Sequence, residues 1–217
     1  GTFTKFIAAH KEIYGNPNLK STFVSGGSAG GQLTCAVGLG IASGKYEDMF
    51  SQDVAIKGII PYYPGNGISP LLGVEGSEEL VNPERLVDEN SPPCLIYQGT
   101  SDGWVNPKVS QSLKQTYFNN GNENCGLIFM PLGAHSGDIY FTGYHNLPFL
   151  YYYERFMYLC VHDLIWSLLK DLADLFPNEF KIQFLFLFYW LWCFLEDIFD
   201  LQGLKIGDEG RNDGDHV

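Results

Sequence analysis

Four short apolar stretches alternate with longer stretches of helical periodicity along this chain. Thr22-Phe23-Val24-Ser25, Ile56-Lys57-Gly58-Ile59-Ile60-Pro61-Tyr62-Tyr63, Cys94-Leu95-Ile96-Tyr97 and Gly126-Leu127-Ile128-Phe129-Met130-Pro131 are rich in β-branched and aromatic residues and bounded by Gly, Pro or polar turns. They predict strands over residues 22–26, 56–62, 94–98 and 126–131. The 94–97 run, closed by prolines and a glycine, reads as a strand buried on both faces. The intervening patterns predict helices over 3–14, 29–42, 107–119 and 147–172, the third opening on Asn106 as N-cap with Pro107 at N1 and stopping near Gly121. Strands that alternate with helices imply an α/β fold with a mostly parallel sheet. Residues 65–90 are polar with scattered apolar positions and read as a small lid over whatever site the sheet carries.

The pattern changes beyond residue 170. Ten of the 33 aromatic residues fall between 176 and 199, and residues 184–195 form an unbroken apolar run of 12. A membrane span needs about 20, so this run reads as a buried or interfacial helix through which residues 182–199 could drive self-association. Residues 207–217 are acidic, glycine-rich and read as disordered. The expected division is an α/β domain over 1–172 and an aromatic helical segment with an acidic tail over 173–217.

The candidate chemistry sits at the ends of the predicted strands. Gly26-Gly27-Ser28-Ala29-Gly30-Gly31 follows the first strand and opens the second helix. A strand, Gly-x-Ser-x-Gly and a helix make a nucleophile elbow. The sharp turn strains the serine backbone and leaves no room for bulky neighbours, which accounts for Gly26 and Gly30. It also sets the Ser28 hydroxyl at a helix N-terminus, where the Ala29 N–H and the helix dipole can stabilise an oxyanion. Asp102 lies just past the third strand, in a Ser-Asp-Gly stretch that would serve equally as an ordinary turn. His135 lies just past the fourth, in Gly133-Ala134-His135-Ser136-Gly137. The order Ser28, Asp102, His135 is that of the hydrolases that use such an elbow. His10, His145, His162 and His216 are poorer bases by position, and Asp138 is the reserve acid. In these roles His135 takes the Ser28 proton during attack on an ester carbonyl. Asp102 fixes the imidazole tautomer, and water activated by His135 then releases the acyl-enzyme. Tyr63 and Trp104 are candidates to line an acyl or alcohol pocket, or simply core and surface aromatics.

A net charge of −12 disfavours nucleic acid and anionic membranes as partners. The five cysteines, Cys35, Cys94, Cys125, Cys160 and Cys193, are dispersed on apolar segments without metal-like spacing. They read as reduced core thiols and favour the cytoplasm. Nothing in the sequence calls for a metal or a cofactor.

With these residues in view, the chain resembles the alpha/beta hydrolases, most of all the hormone-sensitive-lipase-like and acetyl-esterase-like carboxylesterases. The family elbow reads Gly-Asp-Ser-Ala-Gly-Gly; here Gly27 stands in place of the Asp. The stretch Gly99-Thr100-Ser101-Asp102-Gly103-Trp104-Val105-Asn106-Pro107 resembles the acid loop of acetyl-esterase and dienelactone-hydrolase relatives. Residues 5–19 resemble the helix and Asn-Pro-Asn turn that enter the nucleophile strand. The resemblance spans roughly residues 3–160. It implies a serine esterase acting on small ester substrates without a cofactor, and the small lid expected over residues 65–90 favours short acyl chains over long ones. The family draws further oxyanion donors from a His-Gly-Gly loop upstream of the nucleophile. This chain, beginning at Gly1, has no such loop and is read as a piece of a longer protein that holds the C-terminal part of the sheet. Alternatives are a prolyl-oligopeptidase-like serine peptidase, which shares elbow, order and fold, and a catalytically incompetent hydrolase-like binding protein.

Overall fold

The computed structural model describes residues 1–68, 76–137 and 146–162. Gly1–Val161 is one compact unit. The expected domain boundary after residue 172 and the 184–195 run lie outside the described residues.

Along this unit run α1 (Thr2–Ala9), β1 (Thr22–Gly27), α2 (Ala29–Ala42), β2 (Ile56–Tyr62), α3 (Glu78–Val81), β3 (Cys94–Gly99), α4 (Lys108–Asn119), β4 (Cys125–Met130) and α5 (Asn146–Val161). The four strands form one sheet in the order β1-β2-β3-β4. Every neighbouring pair is parallel, with Gly27 opposite Tyr62, Tyr62 opposite Tyr97, and Gly99 opposite Met130. Parallel neighbours must be joined by crossovers, so all four strands end on the same edge. That edge is where open α/β sheets gather functional groups.

Alternation along the strands splits the core into two layers. Ile59, Cys94 and Ile96 point to one face, where they pack with Cys35 and Leu39 of α2 and Leu113 and Tyr117 of α4. Ile60, Leu95 and Tyr97 point to the other, against Phe149, Tyr153 and Phe156 of α5. A sheet covered on both sides explains why β3 is buried at all six positions. Cys35, Cys94, Cys125 and Cys160 are buried and form no disulfide. Burial pushes the Cys35 thiol up to about 12, which keeps it an unreactive core side chain.

Two expectations need correction. The helix predicted over 3–14 breaks at His10, whose φ of −126° leaves the helical region. Its N–H is shared between the Phe6 and Ile7 carbonyls, and a separate 3-10 turn, Lys11–Tyr14, ends at Gly15 with φ +74°. Within the expected lid over 65–90, residues 76–90 build core instead. Leu86 and Val87 join the α2–α4 layer. The Gln32 side chain donates to the Leu80 carbonyl, and Glu84 accepts from Ser112 and Thr116 of α4. The scattered apolar residues of this stretch are therefore packing positions. α4 starts at Lys108 with Pro107 as its N-cap, one position later than expected, and Asn106 Oδ1 accepts from the Lys108 N–H at 3.0 Å just before it. Among the described residues no helix is long and apolar enough to cross a membrane.

Candidate active site

Ser28 connects β1 to α2 with φ 58° and ψ −117°. A non-glycine residue in such a region carries about 1–3 kcal/mol of strain, and persists only where its surroundings over-determine it. Here they do. The Ser28 N–H donates to the Tyr62 carbonyl at 3.0 Å, and its own carbonyl accepts from Gln32 at 3.1 Å and Gly65 at 3.3 Å. The chain is also crowded from both sides. A Cβ on Gly26 would lie 2.6 Å from the Gly30 carbonyl oxygen, and one on Gly31 would lie 2.6 Å from the Tyr62 carbonyl oxygen. Gly30 itself is open, with nothing within 4 Å of its Cβ position. The steric demand expected of Gly30 thus falls on Gly31. Ala29 is the first residue of α2, so its N–H has no acceptor within the helix.

Asp102 is buried and its carboxylate is fully occupied. Oδ1 accepts from the N–H groups of Trp104 and Val105, both at 2.9 Å. Oδ2 accepts from Gln98 Nε2 at 3.1 Å and from His135 Nδ1 at 2.9 Å. Burial alone would raise this carboxyl. The hydrogen bonds from Val105, His135 and Trp104 outweigh it and hold Asp102 below the ordinary aspartate range. An ionised carboxylate only accepts hydrogen bonds, so His135 Nδ1 must carry a proton. Nε2 is then left as the acceptor, and Ser28 Oγ donates to it at 3.0 Å. The structure thus joins Ser28, His135 and Asp102, residues from three loops, in one hydrogen-bonded chain.

The loops after β3 and β4 are tied to each other. Thr100 N–H donates to Met130 O, Ser101 N–H to Gly133 O, and Leu132 N–H to Thr100 Oγ1. Acid and base therefore share one mount. Gln98 was not singled out from the sequence. It is completely buried, donating to Asp102 and accepting from the Ser110 hydroxyl at 2.8 Å. Its signal was present, a lone amide at the end of an apolar strand, directly before the acid loop.

The two candidate pocket residues have different places. Tyr63 is buried, with φ 35°, and its ring centroid lies 4.5 Å from that of His135. Its hydroxyl lies 2.8 Å from where a Cβ on Gly27 would be. Tyr63 thus fills the room that a side chain at position 27 would need. Trp104 is 83% exposed, its ring centroid 6.4 Å from that of His135. Of the other histidines, His10 stacks on Phe6 at the end of α1 and His162 is exposed. His145, His216 and Asp138 lie outside the described residues. Among the described residues no cluster of His, Cys, Asp and Glu is arranged to hold a metal ion.

No family model matches the chain, and no curated protein matches it. Solved structures do. A truncated carbohydrate esterase from gut microbiota matches with TM-score 0.56 and 19% identity, over 71% of this chain and 65% of its own. A carboxylesterase from Lactobacillus plantarum matches with TM-score 0.53 and 17% identity, over 62% and 52%. Esterase 2 of Thermogutta terrifontis matches with TM-score 0.52 and 24% identity, over 75% and 61%. The chain thus spans between half and two thirds of the length of each of these structures. The likeness carries the fold: a parallel sheet flanked by helices, as in the alpha/beta-hydrolase esterases.

Proposed function

We propose that the protein is a serine hydrolase of carboxylic esters, of the hormone-sensitive-lipase-like and acetyl-esterase-like kind. One observation carries the reading: the continuous hydrogen-bonded chain from Asp102 through His135 to a strained Ser28 at a helix N-terminus. In the reaction Ser28 Oγ attacks the ester carbonyl while its proton passes to His135 Nε2. Asp102 stabilises the resulting imidazolium, and the Ala29 N–H receives the oxyanion. The proton then goes from Nε2 to the leaving alkoxide, and an acyl-enzyme remains. Water, deprotonated by His135, attacks the acyl-enzyme and regenerates Ser28. No cofactor enters these steps.

Short acyl chains are the preferred substrates. The support for this now comes from Tyr63, whose buried ring takes up space beside Gly27 and His135. The similar esterase from T. terrifontis has been solved with butyrate bound and phosphorylated by paraoxon, which recommends both as probes. A fluorophosphonate should label Ser28, and p-nitrophenyl acetate should be hydrolysed faster than the dodecanoate. Ser28→Ala should abolish labelling and lower turnover by about 10⁴-fold or more. Absence of both labelling and turnover in the parent chain would leave a hydrolase-like binding protein instead.

A further inference from the structure

Trp104 holds a position that surface chance does not explain. Single exposed apolar side chains are ordinary, but this one is mounted on the site. Its backbone N–H donates to the same Asp102 carboxylate that accepts from His135. Its indole stands 6.4 Å from the imidazole, tilted 35° to it, with 83% of the residue open to solvent. Leu132, equally exposed, rides on the loop that carries His135, and its N–H is tied to Thr100 beside the acid. Two large apolar side chains thus rise from the paired loops that hold acid and base.

Resting on the esterase reading above, we propose that the Trp104 indole is the platform for the alcohol half of the ester, and that it selects alcohols presenting a flat ring face. The chemistry decides which half. Acylation forms the Ser28 Oγ–acyl bond and breaks the acyl–oxygen bond to the alcohol. The proton taken from Ser28 leaves on that alcohol oxygen, delivered by His135 Nε2. The leaving oxygen must therefore come within about 2.6–3.2 Å of Nε2, so the alcohol lies on the imidazole side of the carbonyl. The oxyanion points away, toward Ala29. A ring stacked on the indole is within a few bonds of that oxygen. Stacking favours flat apolar faces at centroid separations of about 4.5–7 Å, which both an aryl ring and the C–H face of a pyranose can offer. The strongly acidic chain, at −12, favours neutral alcohols over anionic ones.

The test compares alcohols at a fixed acetyl group. kcat/KM is measured for benzyl acetate, an acetylated methyl xyloside and ethyl acetate in the parent chain, Trp104→Ala and Trp104→Phe. The ratio of at least one ring ester to ethyl acetate should fall tenfold or more in Trp104→Ala and recover in Trp104→Phe. Which ring ester responds separates an aryl from a sugar alcohol. Saturation-transfer NMR of benzyl alcohol and methyl xyloside on Ser28→Ala reads the platform without turnover. Its signal should be lost in Ser28→Ala/Trp104→Ala. An unchanged ratio together with an unchanged alcohol signal overturns the platform while leaving ester hydrolysis intact. A Trp104-dependent alcohol signal on a chain that hydrolyses no ester overturns the esterase reading and keeps the platform.

Discussion

β1 and β3 each lead into a residue of the candidate site, Ser28 and Asp102, yet they are held in opposite ways. β3 runs between β2 and β4, is buried at every position, and places Gln98 beneath Asp102. β1 lies at the sheet edge, is half-buried or exposed throughout, and among the described residues pairs only with β2. The more strained residue, Ser28, follows the less buried strand. Its conformation is secured by backbone hydrogen bonds to Tyr62, the last residue of β2, and to Gly65 just beyond it, and by close approaches at Gly26 and Gly31. The acid is positioned by packing and by saturation of its oxygens; the nucleophile is positioned by its neighbour's backbone. Damage to β3 should therefore register as lost stability, and damage at the end of β1 as lost rate.

The largest contrast lies in core truncation. Ile96→Ala, at a fully buried position of β3, should cost about 3 kcal/mol. Val24→Ala, half-buried on β1, should cost about 1 kcal/mol. Urea unfolding of both variants measures the difference, and equal losses would remove the distinction between the strands.

A smaller effect is expected at the end of β1, on rate. Gly27→Ala drives a methyl into the Tyr63 hydroxyl, and Tyr63 packs on His135. kcat/KM should fall by about tenfold, or roughly 1.4 kcal/mol, with little change in unfolding midpoint. Tyr63→Phe removes the contacting oxygen, so the double variant should recover most of the rate. Additive losses in that cycle would show that the two positions act separately.

The smallest effect is a pH dependence at the end of β3. The folded Asp102 carboxyl lies below its ordinary value, with burial opposed and outweighed by three hydrogen bonds. A depressed carboxyl contributes stability that is complete above the unfolded value near 3.9 and is lost as pH falls through the folded value. Asp102→Asn lacks that contribution. Its stability deficit against the parent chain should be constant from about pH 5 to 8 and shrink below pH 4. A deficit that grows on acidification would reverse the sign.

Much of this architecture was legible because it is local. The strand at 56–62 and the helix at 29–42 carry their period in consecutive residues, and the Pro107 and Gly121 punctuation marks α4 to within a residue or two. Ser28, Asp102 and His135 each stand in the turn or loop that follows a readable strand. Parallel neighbours end on one edge, so strand order alone suggested that they would meet. The failures are contacts between segments far apart in the chain. Residues 76–90 read as a polar loop, because the partners of Leu86, Val87 and Glu84 lie on α2 and α4. The difference between buried Tyr63 and exposed Trp104 has no trace in their flanking residues.

The sequence by itself determined the alternation of strand and helix, the elbow, and the order of nucleophile, acid and base, because periodicity, turn chemistry and chain order act over neighbouring residues. Only the tertiary structure decided that His135 reaches Asp102 across 33 residues and Ser28 across 107, that Gln98 completes the carboxylate, and that Gly31 rather than Gly30 is the crowded glycine. Those outcomes depend on the register of parallel strands and on how closely a helix approaches a neighbouring strand. Both are set by packing the whole sheet at once, between layers whose partners no local window contains.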